Sequence, residues 1–179
     1  TTRSTGTQPG SGKSTTLQRS LINLMAERNH EINVLTVEDP PEYVIEGARQ
    51  MPVVSSETGA ERMAQYQEAI RAALRSDPDA IMIGEIRDPQ SAQLAFEGAM
   101  TGHQIWTSLH ANSAIGILDR LRDLGVEEYK ITDASILTGL IGQRLVRKLC
   151  PHCRISIEKA HELGDIDAQL IRRPDTFPS

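Results

Sequence analysis

Residues Thr7-Gln8-Pro9-Gly10-Ser11-Gly12-Lys13-Ser14-Thr15 gather glycines and hydroxyl side chains around one lysine. That combination suits a polyphosphate. Glycines let successive backbone N–H groups turn inward around an anion, and a helix starting here adds its positive end. In such a loop Lys13 reaches the β- and γ-phosphates of a nucleoside triphosphate, and Ser14 holds magnesium. Gly10, Ser11, Gly12 and Thr15 complete the cradle, while Thr7 stands where the pattern G-x-x-x-x-G-K-[ST] has its first glycine. Pro9 withholds one N–H from the loop.

Further along, Glu38-Asp39-Pro40-Pro41-Glu42 packs carboxylates tightly. Hydrolysis of a triphosphate needs a group that orients and polarises water. Glu42 is the candidate for that role, with Glu38 and Asp39 beside the nucleotide; taken alone, the segment also reads as an acidic turn. A second carboxylate, Glu85, follows the apolar run Ala80-Ile81-Met82-Ile83 and the permissive Gly84. It could hold Mg²⁺ directly or through water. His103 and His110 bracket a third apolar run. Each could donate to a γ-phosphate or bridge to a carboxylate, or cap a strand end. Arg71, Arg75 and Arg87 could neutralise charge on the transferred phosphoryl group, in this subunit or a neighbour's, or form surface pairs with Glu68 or Asp88. Cys150-Pro151-His152-Cys153 supplies half of a zinc site or two reduced thiols.

Regular elements must deliver these groups. Leu17, Leu21, Leu24 and Met25 fall at helical spacing, predicting a helix from Ser14 to about Arg28. Ile32 to Val37 reads as a buried strand that the double proline ends, and Met51 to Val54 as an extended piece. A helix over Arg62 to Arg75 puts Met63, Tyr66, Ile70 and Leu74 on one side. Asp88, Pro89 and Gly102 mark the start and stop of the next helix. Strands are predicted at Ala80 to Ile83 and Gln104 to Leu109, and helices at Ala114 to Leu124, Glu128 to Asp133 and Ser135 to Leu149. The alternation implies an α/β fold with a mostly parallel sheet flanked by helices and a helical C-terminal part. Ligands of such sheets bind at the carboxyl ends of the strands, where Glu38, Glu85 and His110 all fall.

The 179 residues suffice for one domain with a core. A formal net charge of −5 argues against direct nucleic-acid contact, which selects for a basic face. No apolar run approaches a membrane span, and two cysteines do not make a disulfide scaffold, so the expected compartment is cytosolic. The polar start Thr1 to Thr5 is a poor buried strand, and the end from Arg172 is rich in proline and charge, so the chain reads as part of a longer protein.

Four segments, in order, resemble the secretion-ATPase family that powers type II secretion and type IV pilus assembly. They are Gly10-Ser11-Gly12-Lys13-Ser14-Thr15-Thr16-Leu17, Thr36-Val37-Glu38-Asp39-Pro40-Pro41-Glu42-Tyr43, Leu74 to Asp88 with its Gly84-Glu85, and Thr101-Gly102-His103 through Ser108-Leu109-His110. In the family these are the Walker A, Asp box, Walker B and His box. Gln143-Arg144-Leu145-Val146-Arg147 leading to Cys150 and Cys153 is similar to the approach to the family's four-cysteine zinc element.

The resemblance implies a RecA-like P-loop ATPase domain over residues 1–149, lacking its N-terminal strand and preceding domain. Residues 150–179 would be an incomplete cysteine element and a tail. It implies ATP and Mg²⁺ as ligands, with Zn²⁺ in the intact parent. The expected assembly is a homo-hexamer on the cytoplasmic face of an inner-membrane platform protein. By carry-over Lys13 and Ser14 contact phosphate and magnesium, Glu85 belongs to the magnesium and water network, and Glu42 orients the water. His103 and His110 would couple nucleotide state to the subunit contact. A catalytically silent ring subunit and a related conjugation or DNA-transport ATPase are the competing readings.

Overall fold

The computed structural model describes residues 11–53 and 58–146, together with isolated positions 148, 151, 152, 156 and 159. The chain divides into two compact units, Thr1–Arg144 and Leu145–Ser179. All the regular elements described here belong to the first.

Helix α1 spans Lys13–Glu27 and buries Leu21 and Met25, four residues apart on one face. Strand β1 spans Val34–Glu38 and β2 spans Arg49–Pro52. Helix α2, Gly59–Leu74, starts in a capping box in which Thr58 accepts from the Glu61 N–H and the Glu61 side chain accepts from Thr58. Strand β3 is Ala80–Ile83 and is buried throughout. Helix α3, Pro89–Met100, is capped by Asp88, whose side chain accepts from the Ser91 N–H. Strand β4 is Gln104–Thr107, and the short helices α4, Gly116–Asp123, and α5, Glu128–Thr132, follow.

The strands form one sheet in the order β2-β1-β3-β4, and every pair is parallel. Pro52, which cannot donate to a ladder, ends the edge strand β2. Register pairs Val34 with Ala80 and Val37 with Ile83, so β1 and β3 end level with each other. Alternation then sorts the side chains. Leu35, Val37, Ile81 and Ile83 point into a core shared with α2, α3 and α4. Val34, Ala80 and Met82 point into a second core covered by Leu21 and Met25 of α1. The sheet is therefore covered by helices on both faces, as the sequence predicts.

The predicted helix over Ser135 to Leu149 does not form: the described residues from 137 to 146 are irregular. Its sequence explains this. Thr138-Gly139-Leu140-Ile141-Gly142 holds two glycines, each costing about 1 kcal/mol in a helix interior, between β-branched residues. Gln143 fixes part of the segment instead. Its amide donates to the Ser11 carbonyl at 3.1 Å, and its oxygen accepts from the Thr16 hydroxyl at 2.6 Å.

Candidate active site

Gly12 stands at the entrance to α1 with φ 82°, a left-handed conformation that suits glycine. Among the described residues no side chain caps this helix, and its first turn carries no acidic residue. The first-turn N–H groups of a helix carry its positive end, which favours an anion. Ser14 and Thr15 are exposed, while Ser11, Gly12 and Lys13 are half-buried. Thr7 and Gly10 lie outside the described residues.

The carboxyl edge of the sheet gathers the charged groups. Glu85 follows β3, and its carboxylate contacts His110 Nε2 at 2.8 Å and Arg87 Nε at 2.7 Å. Arg87 reaches on to Asp39 at 3.5 Å, and Asp39 accepts from Arg62 of α2 at 2.7 Å. The ends of β1, β3 and β4 are thus linked by one chain of polar side-chain contacts. Glu85 holds the Arg87 guanidinium above the usual arginine range, by hydrogen bond first and by charge second. Asp39 is almost fully buried at 8% exposure, whereas Arg87 and His110 are more than half exposed. The acids are fixed and the cations are accessible.

Backbone contacts around Glu85 are equally defined. The Gly84 N–H donates to the Val37 carbonyl at 2.9 Å. A Cβ at Gly84 would sit 3.4 Å from that oxygen, an ordinary van der Waals contact, so the two chains cross closely here without requiring glycine. The Ser108 hydroxyl donates to the Gly84 carbonyl at 2.7 Å, and the Ser108 backbone carbonyl accepts from the Ile86 N–H at 3.0 Å.

Other predicted residues stand outside this chain of contacts. Glu38, the last residue of β1, accepts from Thr36 at 2.6 Å and from Gln50 at 3.0 Å. Glu42 is exposed and makes no hydrogen bond or ion pair with described residues. Gln50 holds the loop that carries it, donating to the Tyr43 carbonyl and accepting from the Ile45 N–H, both at 2.9 Å.

Arg71 and Arg75 do not join the cluster in this chain. They pair with Glu68 at 3.5 and 3.0 Å on the exposed side of α2, where Arg75 pulls the Glu68 carboxyl below its usual range by hydrogen bonding. His103 is also apart from the cluster. Its Nδ1 lies 3.1 Å from the Gly98 carbonyl and 3.0 Å from the Thr101 hydroxyl, at the C-terminal end of α3. The reason is directional: His103 precedes β4 and His110 follows it, so a four-residue strand, about 13 Å long, separates the two edges.

Cys150 and Cys153 lie outside the described residues. Among the described residues, no group of three or more His, Cys, Asp or Glu side chains is placed to hold a metal ion. A site using Ser14 and one carboxylate would complete its shell with phosphate oxygens and water, as magnesium commonly does.

Arg62 and Tyr66 are site residues that the motifs do not reveal. They lie four residues apart on α2, a spacing that also includes the buried Ile70, so the helical period carries their signal. A cavity of about 360 Å³ beside β4 is lined by Lys13, Thr16, Trp106 and Leu137 among others, but by none of Glu38, Asp39, Glu85 or His110.

Comparison with known proteins places the chain in a family. Residues 4–174 match the family described as Type II/IV secretion system protein. The chain is 48% identical over 145 residues to the putative type II secretion system protein E of Escherichia coli, covering 81% of this chain and 27% of that one. It is 44% identical over 153 residues to the type II secretion system ATPase E of Vibrio cholerae, covering 86% and 28%. It spans less than a third of the length of these relatives. Among solved structures it resembles the ATPase DotB of Legionella pneumophila, with TM-score 0.57 and 31% identity over 66% of this chain and 32% of that one. It also resembles the pilus retraction motor PilT with bound ADP, with TM-score 0.50 and 34% identity over 68% and 34%. The family match over nearly the whole length, the parallel α/β sheet and the ordered motifs together show that the chain belongs to the type II/IV secretion system protein family.

Proposed function

We propose that this chain carries the nucleotide-hydrolysing centre of a motor ATPase that powers type II protein secretion or type IV pilus assembly. The observation that supports it best is the convergence of Asp39, Glu85 and His110 on the carboxyl edge of one parallel sheet. That is the edge where such sheets bind ligands. The uncapped start of α1 at Gly12 and Lys13 and the ATPase named among the relatives support it further.

In this reading the first turn of α1 and Lys13 bind the β- and γ-phosphates of ATP. The Ser14 hydroxyl and the Glu85 carboxylate are the groups that would hold magnesium. When bound, the ion supplies charge neutralisation across the phosphates. Glu42, on the loop that Gln50 anchors, orients the attacking water. His110 reports the state of Glu85 to the loop beyond β4, and Arg87 offers positive charge to the transferred phosphoryl group. Arg71 and Arg75, exposed on α2, would serve a neighbouring subunit of a homo-hexamer.

The ring would work at the cytoplasmic face of an inner-membrane platform protein. Among the described residues, no helix is long and apolar enough to cross a membrane. The acidic balance disfavours direct contact with nucleic acid. Cys150 and Cys153 would contribute to a zinc site in the intact protein.

The test is Mg-ATP hydrolysis by the full-length protein against protein concentration. Cooperative turnover that vanishes in Lys13→Ala supports the reading. Turnover unaffected by Lys13→Ala contradicts it.

A further inference from the structure

Tyr66 touches Glu85 in an unusual way. Its phenol oxygen lies 3.0 Å from the Glu85 carbonyl and 3.2 Å from the Glu85 nitrogen. The hydroxyl donates to the carbonyl and accepts from the N–H of the same residue. One oxygen thus satisfies both backbone polar groups of Glu85, just beyond the end of β3, where no strand ladder reaches them. Ser108 and Val37 hold the flanking peptides at Gly84 and Ile86. The Glu85 peptide itself is held by Tyr66.

The geometry makes this a rigid contact. Tyr66 is 7% exposed, packed in the core that joins α2 to the sheet. Buried backbone groups without a partner are costly, so the phenol and the peptide depend on each other. Burial also raises the Tyr66 phenol to about 12, which keeps its proton in place as a donor at any physiological pH. Arg62, one turn earlier on α2, holds Asp39. A single helix face therefore sets the position of two carboxylates at the sheet edge.

We propose that Tyr66 is a positioning residue for the phosphoryl chemistry, clamping the Glu85 peptide so that its carboxylate meets magnesium and water in one fixed place; this rests on the reading of Glu85 given above. The clamp acts through orientation. A small displacement of a catalytic group costs rate more than it costs ground-state binding. Nucleotide affinity stays with Lys13 and the first turn of α1, which Tyr66 does not touch.

The experiment is a double-mutant cycle on Mg-ATP turnover by the full-length protein, using wild type, Tyr66→Phe, Glu85→Gln and the double variant. Tyr66→Phe is expected to lower kcat about tenfold or more, with KM for ATP changed less than about twofold. In the Glu85→Gln background the same change adds no further loss, because the group being positioned is gone. Ile70→Val removes a methylene from the same buried face without touching Glu85 and leaves kcat at the wild-type value.

Equal losses in both backgrounds, or a kcat loss matched by Ile70→Val at equal melting temperature, would overturn the clamp. Glu85→Gln inactive beside a fully active Tyr66→Phe also overturns it and leaves the role of Glu85 standing. Full turnover in Glu85→Gln removes the role of Glu85 itself. Should Tyr66→Phe fail to fold, 4-fluorophenylalanine at position 66 fills most of the space of the hydroxyl but donates no hydrogen bond to the Glu85 carbonyl. kcat then falls about tenfold or more if the clamp operates and stays at the wild-type value if it does not.

Discussion

The two edges of the sheet hold similar residues for different ends. At the amino edge, Asp79 accepts from the Asn33 N–H at 2.7 Å, and its own N–H donates to the Asn33 carbonyl at 2.9 Å. Asn33 donates its side-chain amide to the carbonyls of Ser76 and Asp77 at 3.1 and 2.9 Å. His103 is bonded to the end of α3. These contacts go to neutral backbone groups.

At the carboxyl edge Glu85 and Asp39 meet Arg62, Arg87 and His110, all side chains carrying or able to carry charge. Those three side chains are about half exposed. One strand, β3, therefore has a carboxylate before it that bonds the backbone and one after it that meets exposed side chains, the one proposed above for chemistry. Residue type alone does not separate the two; the partner does.

Substitutions can break that contrast. The largest effect is expected at Glu85, where Glu85→Gln should lower ATP turnover about a hundredfold or more, read as kcat at saturating ATP. Next comes the pH response of stability. The Tyr66 phenol has its folded value raised to about 12 from an ordinary 10, because burial disfavours the phenolate. Stability from this group is full below pH 10. Above that the unfolded chain gives up its proton first, and stability falls by about 2–3 kcal/mol as pH rises to 12. Denaturant melts across that window should show the limb in wild type and lack it in Tyr66→Phe.

A smaller effect is expected at the amino edge. Asp79→Ala should cost about 1 kcal/mol of stability through the lost bond to Asn33, seen as a lower melting midpoint with kcat unchanged. Smaller still is His103→Ala, whose kcat should stay within about twofold of wild type, because its ring is occupied with α3. Arg75→Ala should leave the melting temperature nearly unchanged, since its pair with Glu68 is exposed.

Much of this was legible in the chain. Apolar runs such as Ala80-Ile81-Met82-Ile83, bounded by Asp-Pro-Asp and Gly-Glu, mark a buried strand and its exit almost by themselves. The cap at Asp88 with Pro89 fixes where α3 begins. Parallel alternation then dictates that Glu38, Glu85 and His110 share an edge. His103 precedes the predicted strand from Gln104, so strand direction already puts it at the amino edge; only the motif groups it with His110.

The segment after α5 misleads because its apolar residues suggest a helix while Gly139 and Gly142 remove the propensity for one. Tyr66 and Arg62 escape motif reading for another reason. Their partners are a backbone peptide and a distant carboxylate, and only the packing of α2 against the sheet brings them together. Helical spacing shows that they share a face; it does not show what that face meets.

The most direct test of the contrast between edges compares Glu85→Gln with Asp79→Asn in the full-length protein, measuring kcat for ATP and the melting midpoint of each. Loss of turnover with little change in melting at Glu85, against lower melting with full turnover at Asp79, is the predicted result. Full turnover in Glu85→Gln, or lost turnover with unchanged melting in Asp79→Asn, would contradict the assignment of chemistry to the carboxyl edge.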